Sequence, residues 1–530
     1  MDANPSNATA NADEEKFKTP KATTTPPRRR FWTTKYGKIA TCCFVLVLAA
    51  IVVVIVVPTV LLTHMTSNIV PPPPPASSSS SAEDEQPPPP ARQPPLLPQD
   101  HNPDDFPPAL PDPFNNSARA NVDVPPLSEP FPYGEKPIRG INLGGWLVLE
   151  PFITPSLFEQ FSEKEGVVDE WTLCAKLGPH EAYKQLQRHY ETFITEEDFK
   201  KIAEMGFDHV RIPTGHWAVN VDDSDEPFVP KLAWHYLLRA IQWARKYGLR
   251  VMVELHTAPG SQNGWNHSGK YGVVGWLNGT HGQTNADRTL DIVKNMTTFF
   301  SKPEWNNVAP IFGVVNEPAI FRINKAKVQK WYRESYHAIR NESNLYLTYH
   351  EGFIGLDSWD GFFDQDHYKK LFLEIHMYLM FDQGLVSMLR DQQAAFPCHS
   401  WRETLEKSMK NAAPTMVGEF SLATNDCGKY LNGIGIGNRY EGTYENGTPA
   451  VCPNCSCAQV EDWRNWSSDY KKFLKSFIEH QMDAFERSSV GWFFWTYKTE
   501  NHVNPHWDYL LGWEQGWIPR HVSNRTYSCE

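Results

Sequence analysis

The sequence predicts an α/β fold, a (β/α)8 TIM barrel, over residues 131–530. Eight short apolar runs recur along this stretch: IRGINLG (138–144), FDHVRIP (207–213), LRVMVEL (249–255), IFGVVNE (311–317), LYLTYHE (345–351), LFLEIHM (371–377), PTMVGEF (414–420) and VGWFFWTY (490–497). Between them lie amphipathic stretches such as EEDFKKIAEM (196–205), KLAWHYLLRAIQWARKYG (231–248) and VQKWYRESYHAIR (328–340). Helices ending at Gly206 and Gly248 lead straight into the next run, the usual role of glycine just past a helix. Strand-then-helix units imply a parallel sheet, and eight of them match a closed barrel with insertions. The alternative, an open doubly wound sheet, usually carries a glycine-rich phosphate loop after its first strand. INLGGW (141–146) lacks the G-x-G-x-x-G spacing, so nucleotide binding is set aside.

The segments ahead of the barrel follow from composition. Residues 1–38 hold eight Lys/Arg and four Asp/Glu, a net +4, and read as a disordered cytoplasmic tail. Residues 39–63 carry no charge, and FVLVLAAIVVVIVVPTVLLT is long enough to cross a bilayer as one helix. A cleaved signal peptide would have a shorter apolar region behind a short basic segment. A signal anchor is therefore expected. Arg28, Arg29 and Arg30 beside it put the N-terminus in the cytoplasm, which gives a single-pass type II protein of the cell membrane with its large C-terminal domain extracellular. Asn7 alone of the Asn-X-Ser/Thr sequons precedes the apolar run. Residues 64–130, with PPPPP, SSSSS and AEDEQPPPP, read as a Pro/Ser-rich stalk.

Cysteine and charge bound the rest. Cys174, Cys398, Cys427, Cys452, Cys455, Cys457 and Cys529 suit disulfides in an extracytoplasmic domain, with one thiol left over. No His stands at zinc-finger spacing beside Cys452, Cys455 and Cys457, which argues against a metal there. A net charge of −12 without a basic face argues against nucleic acid. A monomer is expected. The 19 tryptophans suit either a large core or a carbohydrate site, where flat sugar faces lie on aromatic rings.

The apolar runs end in groups that a core would not keep. Arg211 lies in the second run, His256 follows the third, and Asn316 and Glu317 end the fourth. His376 and Tyr378 follow the sixth, Glu419 ends the seventh, and Trp495 lies in the eighth. In a parallel barrel all strand C-termini open on one face, so these residues converge. Any one alone reads as a hydrogen-bonded strand-end residue; together they read as an active site. Two glutamates on separate strand ends suit glycoside hydrolysis, with one carboxyl protonating the leaving oxygen and the other attacking carbon or activating water. The acid needs a raised pKa, supplied by burial and a carboxylate neighbour. Arg211 is the cation expected to keep the other ionised. Glu254 and Glu374, two residues before His256 and His376, read as structural partners of those histidines.

The segments RGINLGGWLVLEPFITPSLFE, HVRIP, HTAPGSQNGW, NEP, HMY, VGEFSLATNDC and FFWTYKTEN closely resemble fungal exo-β-1,3-glucanases of glycoside hydrolase family 5, and the anchor and stalk resemble their membrane-bound subgroup. The resemblance runs from about Arg139 to Cys529. It implies retaining exo-hydrolysis of β-1,3-glucan from non-reducing ends, releasing glucose, with transfer to another sugar as a variant, in cell-wall remodelling. It places the acid/base role on Glu317 and the nucleophile role on Glu419. The substrate-binding positions it implies are Glu150, Arg211, His256, Trp265, Asn316, His376, Tyr378, Phe381, Asn432 and Trp495. Trp265 and Phe381 are the two aromatic residues that clamp the next sugar; the family usually has Phe at the first. No metal or organic cofactor is implied. It pairs Cys398 with Cys529, and Cys427 with one of Cys452, Cys455 or Cys457.

Overall fold

The computed structural model describes residues 114–221, 226–446 and 448–530. The tail, the apolar run at 39–63 and the stalk up to residue 113 lie outside the described residues. Among the described residues, no helix is long and apolar enough to cross a membrane.

All eight apolar runs are strands: β1 (Ile138–Asn142), β2 (His209–Thr214), β3 (Arg250–Leu255), β4 (Ile311–Gly313), β5 (Tyr346–His350), β6 (Leu371–His376), β7 (Thr415–Phe420) and β8 (Gly491–Phe494). They form one closed barrel in sequence order, with every pair parallel and β8 returning to β1. The runs lack alternation because both strand faces are covered, one by the barrel interior and one by helices. The larger helices are α1 (Glu170–Thr192), α2 (Glu196–Glu204), α3 (Leu232–Tyr247), α4 (Gly282–Phe300), α5 (Lys325–Arg340), α6 (Arg402–Asn411) and α7 (Ser468–Ser488). The Asp169 side chain accepts from Thr172 N at 2.7 Å to start α1. That helix breaks at Gly178, whose φ of 73° no helix tolerates, and Pro179 restarts it. Gly248, at φ 73°, ends α3 and turns the chain into β3, as its sequence position implies.

One apolar layer fills the space between strands and helices. A second closes the N-terminal face of the barrel, where Ile138, Met252, Ile311, Phe372, Met416 and Phe493 meet Val124 and Phe131. The compositional stalk boundary at 130 therefore runs too far. Residues 114–130 are a strap on the barrel: Leu127 is fully buried, and Arg250 donates to the carbonyls of Pro125, Pro126 and Glu129. Proline-rich chain without its own core looks the same in sequence whether it spans solvent or lies on a neighbour.

Disulfides join Cys398 to Cys529, Cys427 to Cys457 and Cys452 to Cys455. The first is the pairing the resemblance implies, and the second selects Cys457 among the three left open. Cys174 is the leftover thiol of the domain and is buried.

Candidate active site

The C-terminal mouth of the barrel is organised around Arg211. It projects from β2 fully buried, and its Nη1 donates to Asn142 Oδ1 at 2.9 Å and to Glu419 Oε1 at 2.8 Å. Nη2 donates to Asn316 Oδ1 at 2.9 Å. Glu254 and Glu374 lie 3.3 Å away on either side of the same guanidinium. The neighbouring strands make room for them: a Cβ on Gly418 of β7 would stand 2.0 Å from Glu374 Oε1, and one on Gly313 of β4 would stand 2.4 Å from Glu254 Cγ. As expected, each also touches its histidine, Glu254 at 2.9 Å from His256 Nδ1 and Glu374 at 3.4 Å from His376 Nε2.

Glu317 and Glu419 meet across His376. Its Nδ1 lies 2.5 Å from Glu317 Oε1 and 3.4 Å from Glu419 Oε2, so the sum of these contacts, 5.9 Å, is the most that can separate those two oxygens. Tyr378 Oη donates to Glu419 Oε2 at 2.7 Å. Irregular register puts these groups side by side: β6 slips against β7 at Ile375/His376, which brings His376 level with Glu419. Such irregularities re-aim side chains near sites. Glu317 stands at φ 46°, a left-handed conformation that costs about 1–3 kcal/mol for a non-glycine residue. Gln262 Nε2, donating to the carbonyls of His256 and Asn316, and Asn263 Nδ2, donating to that of Glu317, hold it there.

Glu150, Glu254, Glu317, Glu374 and Glu419 are five buried carboxyls facing two cations, Arg211 and His376, so they cannot all be ionised. Burial pushes Glu254 up to about 8 against the pull of Arg211. Burial and the charges of Glu419 and Glu317 raise Glu150, whose Oε1 has no protein partner. Burial works against a charge on His376, yet Glu419 and Glu317 outweigh it and push that group up to about 10. Burial also raises Glu317, but the adjoining His376 charge and hydrogen bond win, and the group lies below the usual carboxylate range. Glu419 stays above that range, raised by burial against His376 and Arg211. The raised carboxyl expected at Glu317 is thus not found, because the His376 contact reverses the direction. The proton rests on His376, one hydrogen bond away.

The remaining sequence-derived residues divide in two. His256 stacks on Trp495, with centroids 5.8 Å apart and planes 7° from parallel, and Asn316 Nδ2 reaches to 3.5 Å from His256 Nε2. Trp265 adjoins His267, which stands 3.3 Å from Glu317 Oε2; Phe381 adjoins Tyr378, the partner of Glu419. Each of these two aromatics is thus one residue removed from one carboxylate. Asn432 is engaged elsewhere, bonded to Asp426, Arg439 and the Gly437 carbonyl in the loop after β7. Sequence reasoning did not single out Asn142, Gln262, Asn263, His267 or His350. Asn142 and His350 carried the strand-end signal, whereas the other three lie in a loop without periodicity. Glu317, His350 and His376 offer donor atoms within 4.8 Å of one another, of which Glu317 Oε1 and His376 Nδ1 contact each other at 2.5 Å.

Residues 178–501 match the family described as Cellulase (glycosyl hydrolase family 5). The chain belongs to glycosyl hydrolase family 5. This family-5 chain is 45% identical over 428 residues to a probable glucan 1,3-beta-glucosidase D of Aspergillus terreus, covering 78% of the chain and 50% of that protein. It is 43% identical over 427 residues to the Aspergillus niger protein of the same description, covering 78% and 51%. The chain spans about half the length of the curated relatives it matches. Among solved structures, the rutinosidase from Aspergillus niger matches with TM-score 0.56 at 19% identity, over 72% of this chain and 98% of that one. AoRut matches with TM-score 0.56 at 20% identity, over 73% and 98%. At that identity the likeness is one of fold.

Proposed function

We propose that this chain is a retaining exo-β-1,3-glucosidase in which Glu419 is the nucleophile and Glu317 the acid/base. The observation that carries the reading is the shared His376 contact. An upper bound of 5.9 Å between carboxylate oxygens falls near the about 5–5.5 Å of retaining glycosidases and below the about 6.5–9.5 Å that leaves room for water in inverting ones. The names of the relatives support β-1,3-glucan as the substrate.

In this reading the terminal glucose sits among Glu150, Arg211, His256, Asn316 and Trp495. A Glu419 oxygen attacks the anomeric carbon while the bond to the departing sugar breaks and Glu317 protonates the leaving oxygen. Transfer of the proton from His376 across the 2.5 Å contact arms that acid. Glu317, now a carboxylate, takes a proton from water, which attacks the glycosyl ester and frees Glu419 with net retention. A second sugar in place of water gives transfer. The domain acts outside the cell on one signal anchor, supported by the apolar run at 39–63, its basic flank and three disulfides.

Laminarin digestion tests the scheme. Glucose, first formed as the β-anomer, is expected as the product by NMR, with little release from cellooligosaccharides or pustulan. Glu419→Gln should keep the fold and lose at least about 10³-fold in kcat. First-formed α-glucose, or wild-type hydrolysis by Glu419→Gln, overturns the assignment.

A further inference from the structure

We propose that a cavity on the N-terminal face of the barrel, at the opposite end from the C-terminal mouth, binds an acidic sugar: a pyranose that carries a carboxylate or a phosphate. The cavity measures about 370 Å³, within the range of about 300–1,000 Å³ found for small-molecule sites. This face of a barrel ordinarily serves stability, and apolar side chains seal most of it. The cavity beside that apolar layer is lined differently, by aromatic rings, amides and cations.

The rings form a wall held in place by their neighbours. Phe131 and Tyr133, between the strap and β1, have centroids 4.9 Å apart, and Tyr133 lies 4.5 Å from Tyr346, the first residue of β5. Tyr133 Oη shares a 2.9 Å hydrogen bond with His209 Nε2, whose other ring nitrogen stands 2.6 Å from Asp208 Oδ1. Tyr346 stacks on Phe372, with centroids 5.1 Å apart and planes 14° from parallel. Sugar rings present C–H faces that stack on aromatics. Asn306, Asn307 and Asn344 line the same space with amides, each both donor and acceptor, as sugar hydroxyls require.

Charge selects an acid among sugars. Arg250 and Lys370 line the cavity against the one exposed carboxylate of Glu129, in a chain whose net charge is −12. Arg250 is buried and spends its donors on strap carbonyls, which leave its charge uncancelled. Lys370 stands just ahead of β6 at φ 51°, a strained left-handed position. Leu347 N–H and Arg340 Nη2 hold it there, donating to its carbonyl at 2.9 and 2.8 Å. Its ammonium donates to the Asn344 carbonyl at 3.1 Å and, among the described residues, forms no ion pair. Burial and the Arg340 charge hold that ammonium below the usual lysine range, so a bound anion offsets a cost already present.

The test is titration calorimetry of the full chain with galacturonate, galactose 6-phosphate, galactose and inorganic phosphate, for the wild type, Lys370→Gln and Asn307→Asp. Galactose-based probes avoid competition from a mouth read as glucose-binding. At least one acidic sugar should bind the wild type about tenfold more tightly than galactose and than inorganic phosphate, and which one identifies the anion. Lys370→Gln removes the charge and Asn307→Asp sets a carboxylate at the exposed edge; each should weaken that binding about tenfold, the size of one charge-assisted hydrogen bond. Laminarin hydrolysis should be unchanged in both, since neither position adjoins the mouth. Acidic-sugar affinity that is the same in the wild type and both variants overturns the site. Galactose or inorganic phosphate bound by the wild type as tightly as both acidic sugars overturns it too.

Discussion

His376 holds the proton on which the chemistry turns. It is fully buried between Glu317, Glu419 and Glu374, which keep it charged until the pH nears about 10. In His376→Gln no group of that basicity remains, and the proton must sit on a carboxyl alone. A proton that leaves the wild-type cluster only near pH 10 then leaves at lower pH, so the alkaline limb of kcat/KM should move toward acid, with kcat reduced by about 10–100-fold. A limb that stays in place counts against the shared proton. Much of this cluster was legible one residue at a time, because a carboxylate or imidazole closing an apolar run needs a reason. Its protonation was not. The raised carboxyl expected at Glu317 follows from burial and a like charge, but the 2.5 Å contact to a histidine reverses the direction. No spacing in the sequence reports that contact. His267 was likewise out of reach, since it lies in a 3-10 turn of a loop, where position follows no period.

Strands were the easiest elements to read, since both their faces are buried and the apolar runs are continuous. Their register was not readable, and register is what builds the mouth. The slip between β6 and β7 aligns His376 with Glu419, and a glycine one residue before Glu419 leaves space for the Glu374 side chain. Gly418→Ala puts a methyl 2.0 Å from Glu374 Oε1, and that carboxylate has nowhere to retreat because Arg211 and Thr348 hold its two oxygens. The substitution should cost about 1–3 kcal/mol in urea unfolding and lower kcat with it. A neutral result would mean that β7 shifts outward freely. The glycine is conspicuous in VGEF, but only the opposing side chain says why it is there.

At the scale of the molecule, the barrel depends on chain that composition assigned to a stalk. The strap at 114–130 covers the N-terminal face and buries Leu127 completely. Leu127→Ala should therefore lower stability by about 2–5 kcal/mol in denaturant titration, whereas a loss below about 1 kcal/mol would make the strap a passive covering. The eight-stranded architecture was readable from the count of runs; the strap was not, because its partners are distant strands. Ring closure sets an order of events during synthesis. The first strand finds its second neighbour only in the segment starting at Gly491, and Asn142, the residue that orients Arg211, bonds to the carbonyls of Gly418 and Phe494. A ribosome must release nearly the whole polypeptide before that guanidinium can be sealed from water. Until then the nascent intermediate exposes unpaired strand edges, which makes late translation the interval when chaperone protection matters most.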